Sequence, residues 1–177
     1  MIATQEKRTT QAQTALTQHT ISLLVSNRPG VLIRIALVFS RRGFNIDSVV
    51  VSPLKDRRFS RMSLVVTGDR HTLDQIILQL NKLVDVLHAI DHSGENTIER
   101  EMGLFKIKCG THLRTKMLQI ADHFKAESVD MSESTMTFQI TGTSEKLNAF
   151  QLMVEKYGIL EMVRSGKLFL VRGEGET

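Results

Sequence analysis

Two histidines four residues apart, His88 and His92, are the first residues whose spacing could do chemistry. On a helix, an i, i+4 pair can bring both imidazoles to one metal ion. Val86 to Ile90 reads instead as a strand, and four strand residues span about 13 Å. The rings then share a face but stand too far apart to chelate, and no metal site is expected. The single cysteine, Cys109, has Lys106, Lys108 and His112 nearby, and positive neighbours lower a thiol's pKa and make it nucleophilic. Without a confirming motif it reads as a packed residue. No Gly-x-Ser-x-Gly elbow, Gly-x-Gly-x-x-Gly turn or phosphate-binding Gly-x-x-x-x-Gly-Lys loop occurs. Gly173-Glu174-Gly175 carries the wrong charge for phosphate. The chain offers no catalytic set.

One segment is better placed for binding. Asn27-Arg28-Pro29-Gly30-Val31-Leu32 joins an apolar run to an amphipathic stretch. Gly30 lets the backbone approach a ligand closely, and the free amides of a helix start suit a carboxylate. Asn27 adds a side-chain amide, and Val31 and Leu32 add apolar wall. Taken alone, the segment reads either as a turn with a helix cap or as a ligand loop.

The elements around it follow from periodicity. Ile21 to Val25 is strand-length and apolar. Leu32, Ile35, Ala36 and Phe39 recur at helical spacing, giving a helix from residue 30 to about 42 that Gly43 closes. Phe44 to Val51 and Arg61 to Val66 read as strands. Leu73, Ile76, Ile77, Leu80 and Val84 line a second helix, with Thr72 and Gln75 as a capping box. Val86 to Ile90 is a fourth strand, so the order is β-α-β-β-α-β, a ferredoxin-like unit. A second set follows, with strands over 104–109, 128–132, 136–140 and 159–163, helices lined by Leu113, Met117, Ile120 and Phe124 and by Leu147, Phe150, Val154 and Tyr157, and a short strand over 168–171.

The two sets share a register. Met62, Leu64, Val66, Thr67, Gly68, Leu73, Ile76 and Leu80 correspond in turn to Met136, Phe138, Ile140, Thr141, Gly142, Leu147, Phe150 and Val154, every pair at the same sequence offset. An offset that persists from strand through turn into helix marks an internal repeat. The expected fold is therefore α+β, two tandem ferredoxin-like βαββαβ domains. Residues 1–18 read as a disordered tail, 19–92 as the first domain, 93–98 as a linker and 99–177 as the second domain. Units this small gain stability by association, and an apolar strand such as Ile21 to Val25 would serve as a pairing edge, so a homodimer is expected.

Composition bounds the rest. The 177 residues carry 23 Lys+Arg and 19 Asp+Glu, a net charge of +4. Residues 1–96 hold the whole excess, with 12 basic and 8 acidic residues. No apolar run reaches the roughly 18 residues of a membrane span, and the first residues lack the apolar core of a signal peptide. A cytoplasmic protein with no membrane partner is expected. The basic half could meet phosphates, but one Tyr and no Trp leave no stacking surface for nucleic acid, so none is expected as a partner.

The loop and its surroundings also carry a likeness. Asn27-Arg28-Pro29-Gly30-Val31-Leu32 and Phe39-Ser40-Arg41-Arg42-Gly43-Phe44-Asn45-Ile46 are joined by Ser60-Arg61-Met62, the run from Gln79 to Val86 and Glu99-Arg100-Glu101. Gly158-Ile159-Leu160-Glu161 and Val163-Arg164-Ser165-Gly166 complete the set. In this order they resemble the small regulatory subunit of acetohydroxyacid synthase (acetolactate synthase), whose first domain is an amino-acid-binding ACT domain. The likeness runs from about His19 to Arg172. It implies a non-catalytic protein that binds and activates the large catalytic subunit in valine, leucine and isoleucine biosynthesis. It also implies feedback inhibition by a branched-chain amino acid, valine first. Thiamine diphosphate, magnesium and FAD would reside on the catalytic subunit and no cofactor on this chain.

The resemblance further implies that paired ACT domains hold the effector between two chains. Asn27, Gly30, Val31 and Leu32 would form one side, and Asn45 and Ile46 of the other chain would face it. Ile33 departs from the small hydroxyl residue that many members have there. For the catalytic-subunit contact, the basic residues Arg34, Arg41 and Arg42 of the first helix are a candidate. A stand-alone amino-acid-sensing ACT regulator or a nucleic-acid-binding regulator remains the alternative.

Overall fold

The computed structural model describes residues 17–174 and Thr177. The bulk of the expected tail, residues 1–16, lies outside the described residues, while Thr17 and Gln18 already belong to β1, Thr17–Ser26. Further elements complete the first unit: α1 (Val31–Arg41), β2 (Asn45–Pro53), β3 (Phe59–Gly68) and α2 (Arg70–Leu80), with β4 (Val86–Asp91) closing it. The strands form an antiparallel sheet in the order β2-β3-β1-β4. Ile21, Leu23 and Val25 of β1 point to one face with Met62, Leu64 and Val66 of β3. There they meet Ile35 and Phe39 of α1 and Leu73, Ile76 and Leu80 of α2 in one buried core.

This order corrects one expectation. β1 is not an edge: it pairs with β3 on one side and β4 on the other. The edges are β2 and β4. The split βαβ connection drives the first strand to the middle, which suits a continuous apolar run better than an edge does.

The second unit repeats the plan. It comprises β5 (Thr97–Lys108), a 3-10 turn at Thr111–Leu113, α3 (Arg114–His123), β6 (Glu127–Met131), β7 (Thr135–Gly142), α4 (Ser144–Glu155), β8 (Ile159–Arg164) and β9 (Leu168–Val171). Its main path runs β6-β7-β5-β8, the same order as in the first sheet. The repeat read from sequence holds in three dimensions. Met62, Leu64, Val66, Leu73, Ile76 and Leu80 are buried, and so are Met136, Phe138, Ile140, Leu147, Phe150 and Val154. Phe150 anchors the second core with its ring edge-on to Phe105, Phe124 and Phe138.

Helix starts obey the same repeat. Asp69 accepts the Thr72 amide at 2.9 Å, and Thr143, its counterpart in the second unit, accepts the Lys146 amide at 3.4 Å. The cap of α2 is thus Asp69, not the Thr72–Gln75 pair expected from sequence, because the helix begins at Arg70. At the helix ends, Gly43 and Lys125 both take the left-handed conformation, with φ 70° and 52°.

β5 links the two units. Thr97 and Ile98, read from sequence as the end of a linker, already pair with Val171 and Leu170. Beyond Arg100 the same strand becomes the centre of the second sheet. The far face of the first sheet is therefore partly covered by its own chain. Phe169 is buried with its ring 5.5 Å from that of His92. Gly166, at φ +82°, lies so close to Ser48 of β2 that a Cβ there would collide with the hydroxyl. Lys167 reaches Gln18 and Glu99, each at 3.3 Å.

Candidate functional site

Asn27 to Leu32 lies where β1 gives way to α1. Gly30 sits at the helix start with φ 84° and ψ −9°, a left-handed turn that L side chains avoid. No side chain among the described residues caps this helix; the Val31 amide donates to the Arg28 carbonyl at 3.4 Å, and those of Leu32 and Ile33 keep the unpaired character that attracts anions. Val31 is buried in the core while Leu32 is half exposed at 48%. Asn27 is fixed twice: its backbone amide donates to the Arg58 carbonyl at 2.7 Å, and its Nδ2 donates to the Arg57 carbonyl at 2.9 Å. With Nδ2 committed, the side-chain oxygen of Asn27 is left as an acceptor. Ser26, Asn27 and Arg28 share a depression with Arg57, Arg58 and Phe59.

Asn45 and Ile46 open β2 beyond Gly43. Ile46 pairs with Val66 and shares its helix-facing side, packing against the first core. Asn45 pairs with Thr67 and turns to the opposite face, where its Nδ2 donates to Asp47 at 3.1 Å. The Thr67 hydroxyl donates to the same carboxylate at 2.6 Å. A register shift between Ile46 and Ser48 gives Asp47 this position. A second depression, lined by Phe39, Gly43, Phe44, Asn45 and Ile46, opens beside them.

Within one chain the two groups do not meet. Asn45 lies level with Gln18 through Thr67, whereas Asn27 follows Ser26 at the other end of β1. Nine strand residues separate those levels, about 30 Å. The sequence could not locate the carbonyls of Arg57 and Arg58 in the loop, since they come from the turn between β2 and β3, beyond α1 and β2. Nor could it place Asp47 beside Asn45, because a bulge has no local signature here.

The other candidates resolve differently. His92 is buried and its Nε2 lies 2.8 Å from Ser22 Oγ while Nδ1 lies 2.7 Å from Glu95. That hydroxyl–imidazole–carboxylate chain resembles a nucleophile relay, but Ser22 is 1% exposed and Phe169 covers the imidazole. It works as a tether between β1, the turn after β4 and β9. His88, on β4, pairs with Leu24, and no group of three or more metal-type side chains converges among the described residues. Cys109 is fully buried; burial pushes its thiol up, against a smaller opposing pull from Arg114, so it is less reactive than an ordinary cysteine. Arg34 is spent on Asp85 at 2.6 Å. No helix among the described residues is long and apolar enough to cross a membrane.

The "AHAS small subunit-like ACT domain" family model matches residues 21–88, and the model described as the small subunit of acetolactate synthase matches residues 100–173. The acetolactate synthase small subunit of Mycolicibacterium smegmatis is 40% identical over 155 residues, 88% of this chain and 91% of that one. The chain belongs to the acetolactate synthase small-subunit family. The probable acetolactate synthase small subunit of Archaeoglobus fulgidus is 39% identical, over 88% of this chain and 98% of its own length. The crystal structure of the Thermotoga maritima acetolactate synthase small subunit superposes with a TM-score of 0.80 at 33% identity, covering 90% of this chain and 99% of that one. Membership in this family makes the chain a regulatory subunit and not a catalytic one, in keeping with the resemblance drawn from the Asn27 loop.

Proposed function

We propose that this small subunit binds the thiamine-diphosphate catalytic subunit in the cytoplasm, activates it, and makes it sensitive to a branched-chain amino acid, valine first. Residues 19–92 are the effector-binding and dimerising domain. Thiamine diphosphate, magnesium and FAD belong to the catalytic subunit; this chain contributes binding and regulation.

The observation that carries the effector reading is the uncapped, left-handed start of α1 at Gly30 beside an asparagine whose amide nitrogen is already engaged. Helix-start amides take the carboxylate. The Asn27 oxygen takes the ammonium in a loop, residues 27–32, that has no Asp or Glu of its own. Leu32 of one chain and Ile46 of the other bracket an aliphatic side chain. Asn45, its side chain held by Asp47, contributes through its backbone.

The homodimer is supported by the β2 edge. β2 has a partner on one side only, and Val49 and Val51 are exposed on the side that carries α1, where Ile33 is 66% exposed and Leu37 is exposed too. A two-fold axis beside an edge strand pairs it antiparallel with its copy. Such pairing would cover these side chains and bring the start of one β2 towards the Gly30 loop of the other. Ile33 then acts as an interface residue, a role that suits its bulk. Effector binding across the pair shifts an equilibrium that the catalytic subunit reads.

The test is acetolactate formation from pyruvate by the matching catalytic subunit, with and without this protein, each with and without valine. Stimulation that valine reverses supports both halves. Stimulation that valine leaves untouched removes the effector reading, and no stimulation removes the activating one.

A further inference from the structure

The β2–β3 hairpin tip touches the effector loop and carries unpaired positive charge. Its turn is tightly built: the Leu54 amide donates to Phe59 and the Phe59 amide to Asp56, both at 3.0 Å. Asp56 also accepts the Arg58 amide at 3.1 Å and pairs with the Arg58 guanidinium at 2.6 Å. Arg58 in turn lies over the Phe59 ring at 5.6 Å. That framework leaves Lys55 and Arg57 exposed on the turn, with Arg57 lining the same depression as Arg28 of the effector loop. All three are exposed, and none has an ion-pair partner among the described residues. Of the α1 arginines, Arg34 is neutralised by Asp85, and Arg41 and Arg42 lie at the opposite end of the helix.

Resting on the regulatory reading above, we propose that Arg28, Lys55 and Arg57 form the docking surface for an acidic patch of the catalytic subunit. We propose further that Asn27 ties this surface to effector occupancy. Cations without internal partners steer and orient an acidic partner, and the short, braced turn presents their backbone with little entropy to lose. The link to the effector is Asn27, which holds the hairpin through the Arg57 and Arg58 carbonyls. A ligand ammonium drawn to the Asn27 oxygen shifts the same side chain that donates to Arg57. Effector binding thereby alters the cationic tip that the catalytic subunit contacts.

The test uses the full chain and the matching catalytic subunit. The Lys55→Glu variant changes an exposed side chain that does not line the depression at Asn27. It should need about tenfold or more higher concentration to stimulate acetolactate formation, with valine binding by calorimetry unchanged. Association of the original protein should weaken between about 50 and 300 mM salt, and that of the variant much less. Hydrogen exchange at residues 54–58 should change on adding valine and should not in Asn27→Ala. A variant that associates as tightly and with the same salt dependence overturns the docking surface. Valine that binds without altering exchange at 54–58 overturns the link. An original protein that neither associates nor stimulates overturns the regulatory reading, and this proposal with it.

Discussion

At the scale of single residues, what a side chain can do here depends on what it is already holding. Gly30→Asp separates effector binding from folding. Aspartate tolerates the left-handed region better than most residues, and its Cβ would meet only the flexible end of Arg34, at 3.1 Å. The added carboxylate would occupy the helix start proposed to receive the effector's carboxylate. Valine affinity should fall by about 100-fold or more, as for a like charge in a binding site, while stimulation of the catalytic subunit persists; calorimetry and the acetolactate assay read the two. Glu101 makes the opposite case, a carboxylate that serves the fold. It receives Arg164 through bonds of 2.7 Å and the Ser144 hydroxyl at 2.9 Å, joining β5, β8 and α4. Burial pushes its carboxyl up, but the bonds from Arg164 and Ser144 outweigh that and hold it below the ordinary glutamate range. A lowered folded-state pKa stabilises the fold above the unfolded pKa and is lost as pH falls through the folded value. Glu101→Gln should cost about 2–3 kcal/mol at neutral pH and flatten the acid limb of a urea-unfolding series. An unaltered acid limb would mean that Glu101 is uncoupled from folding.

At the scale of elements, much was legible because apolar periodicity is local and burial follows it. The constant offset made the second unit readable, since Leu64 and Phe138, or Ile76 and Phe150, mark equivalent buried positions. What the pattern lacked was strand order and long-range partners. Ile21 to Val25 announced a strand, but its place in the middle depends on which way α1 and α2 cross. Thr97 and Ile98 resembled a linker because their partners, Val171 and Leu170, lie at the far end of the second unit. The site was half legible for the same reason: Asn27, Gly30 and Leu32 are contiguous, whereas the carbonyls that fix Asn27 come from the hairpin. The repeat also exposes an imperfection. Lys125 occupies the position after α3 that Gly43 occupies after α1, and it alone among non-glycines has positive φ among the described residues. Lys125→Gly should raise stability by about 1 kcal/mol by relieving that conformation, read as a higher urea midpoint with unchanged slope. A lower midpoint would mean that the Lys125 ion pair with Asp122, 3.4 Å long and exposed, outweighs the strain.

At the scale of the whole molecule, the separation of about 30 Å between Asn27 and Asn45 decides how the proposed effector site would be assembled. If the Gly30 loop and the start of β2 act on one ligand, they come from different chains, and each dimer holds two such sites related by its two-fold axis. Mixed dimers test this directly. Gly30→Asp disables the loop side, and Ile46→Phe disables the strand side by filling the space of the ligand's aliphatic chain with a larger side chain that stays apolar against the first core. Each variant alone should be dimeric by light scattering, folded by circular dichroism and unable to bind valine. Unfolding and refolding them together at equal concentration forms heterodimers in about half of the population. In each heterodimer one site carries both lesions, and the other pairs an intact loop with an intact strand. Valine binding should therefore return to about one quarter of the original stoichiometry at the original affinity, because sites and not chains are being counted. A site contained within one chain would recover nothing on mixing, since every chain would still carry its own lesion. The same heterodimers, added to the catalytic subunit, would then report whether one occupied site suffices to inhibit or whether both must fill before the pair changes state.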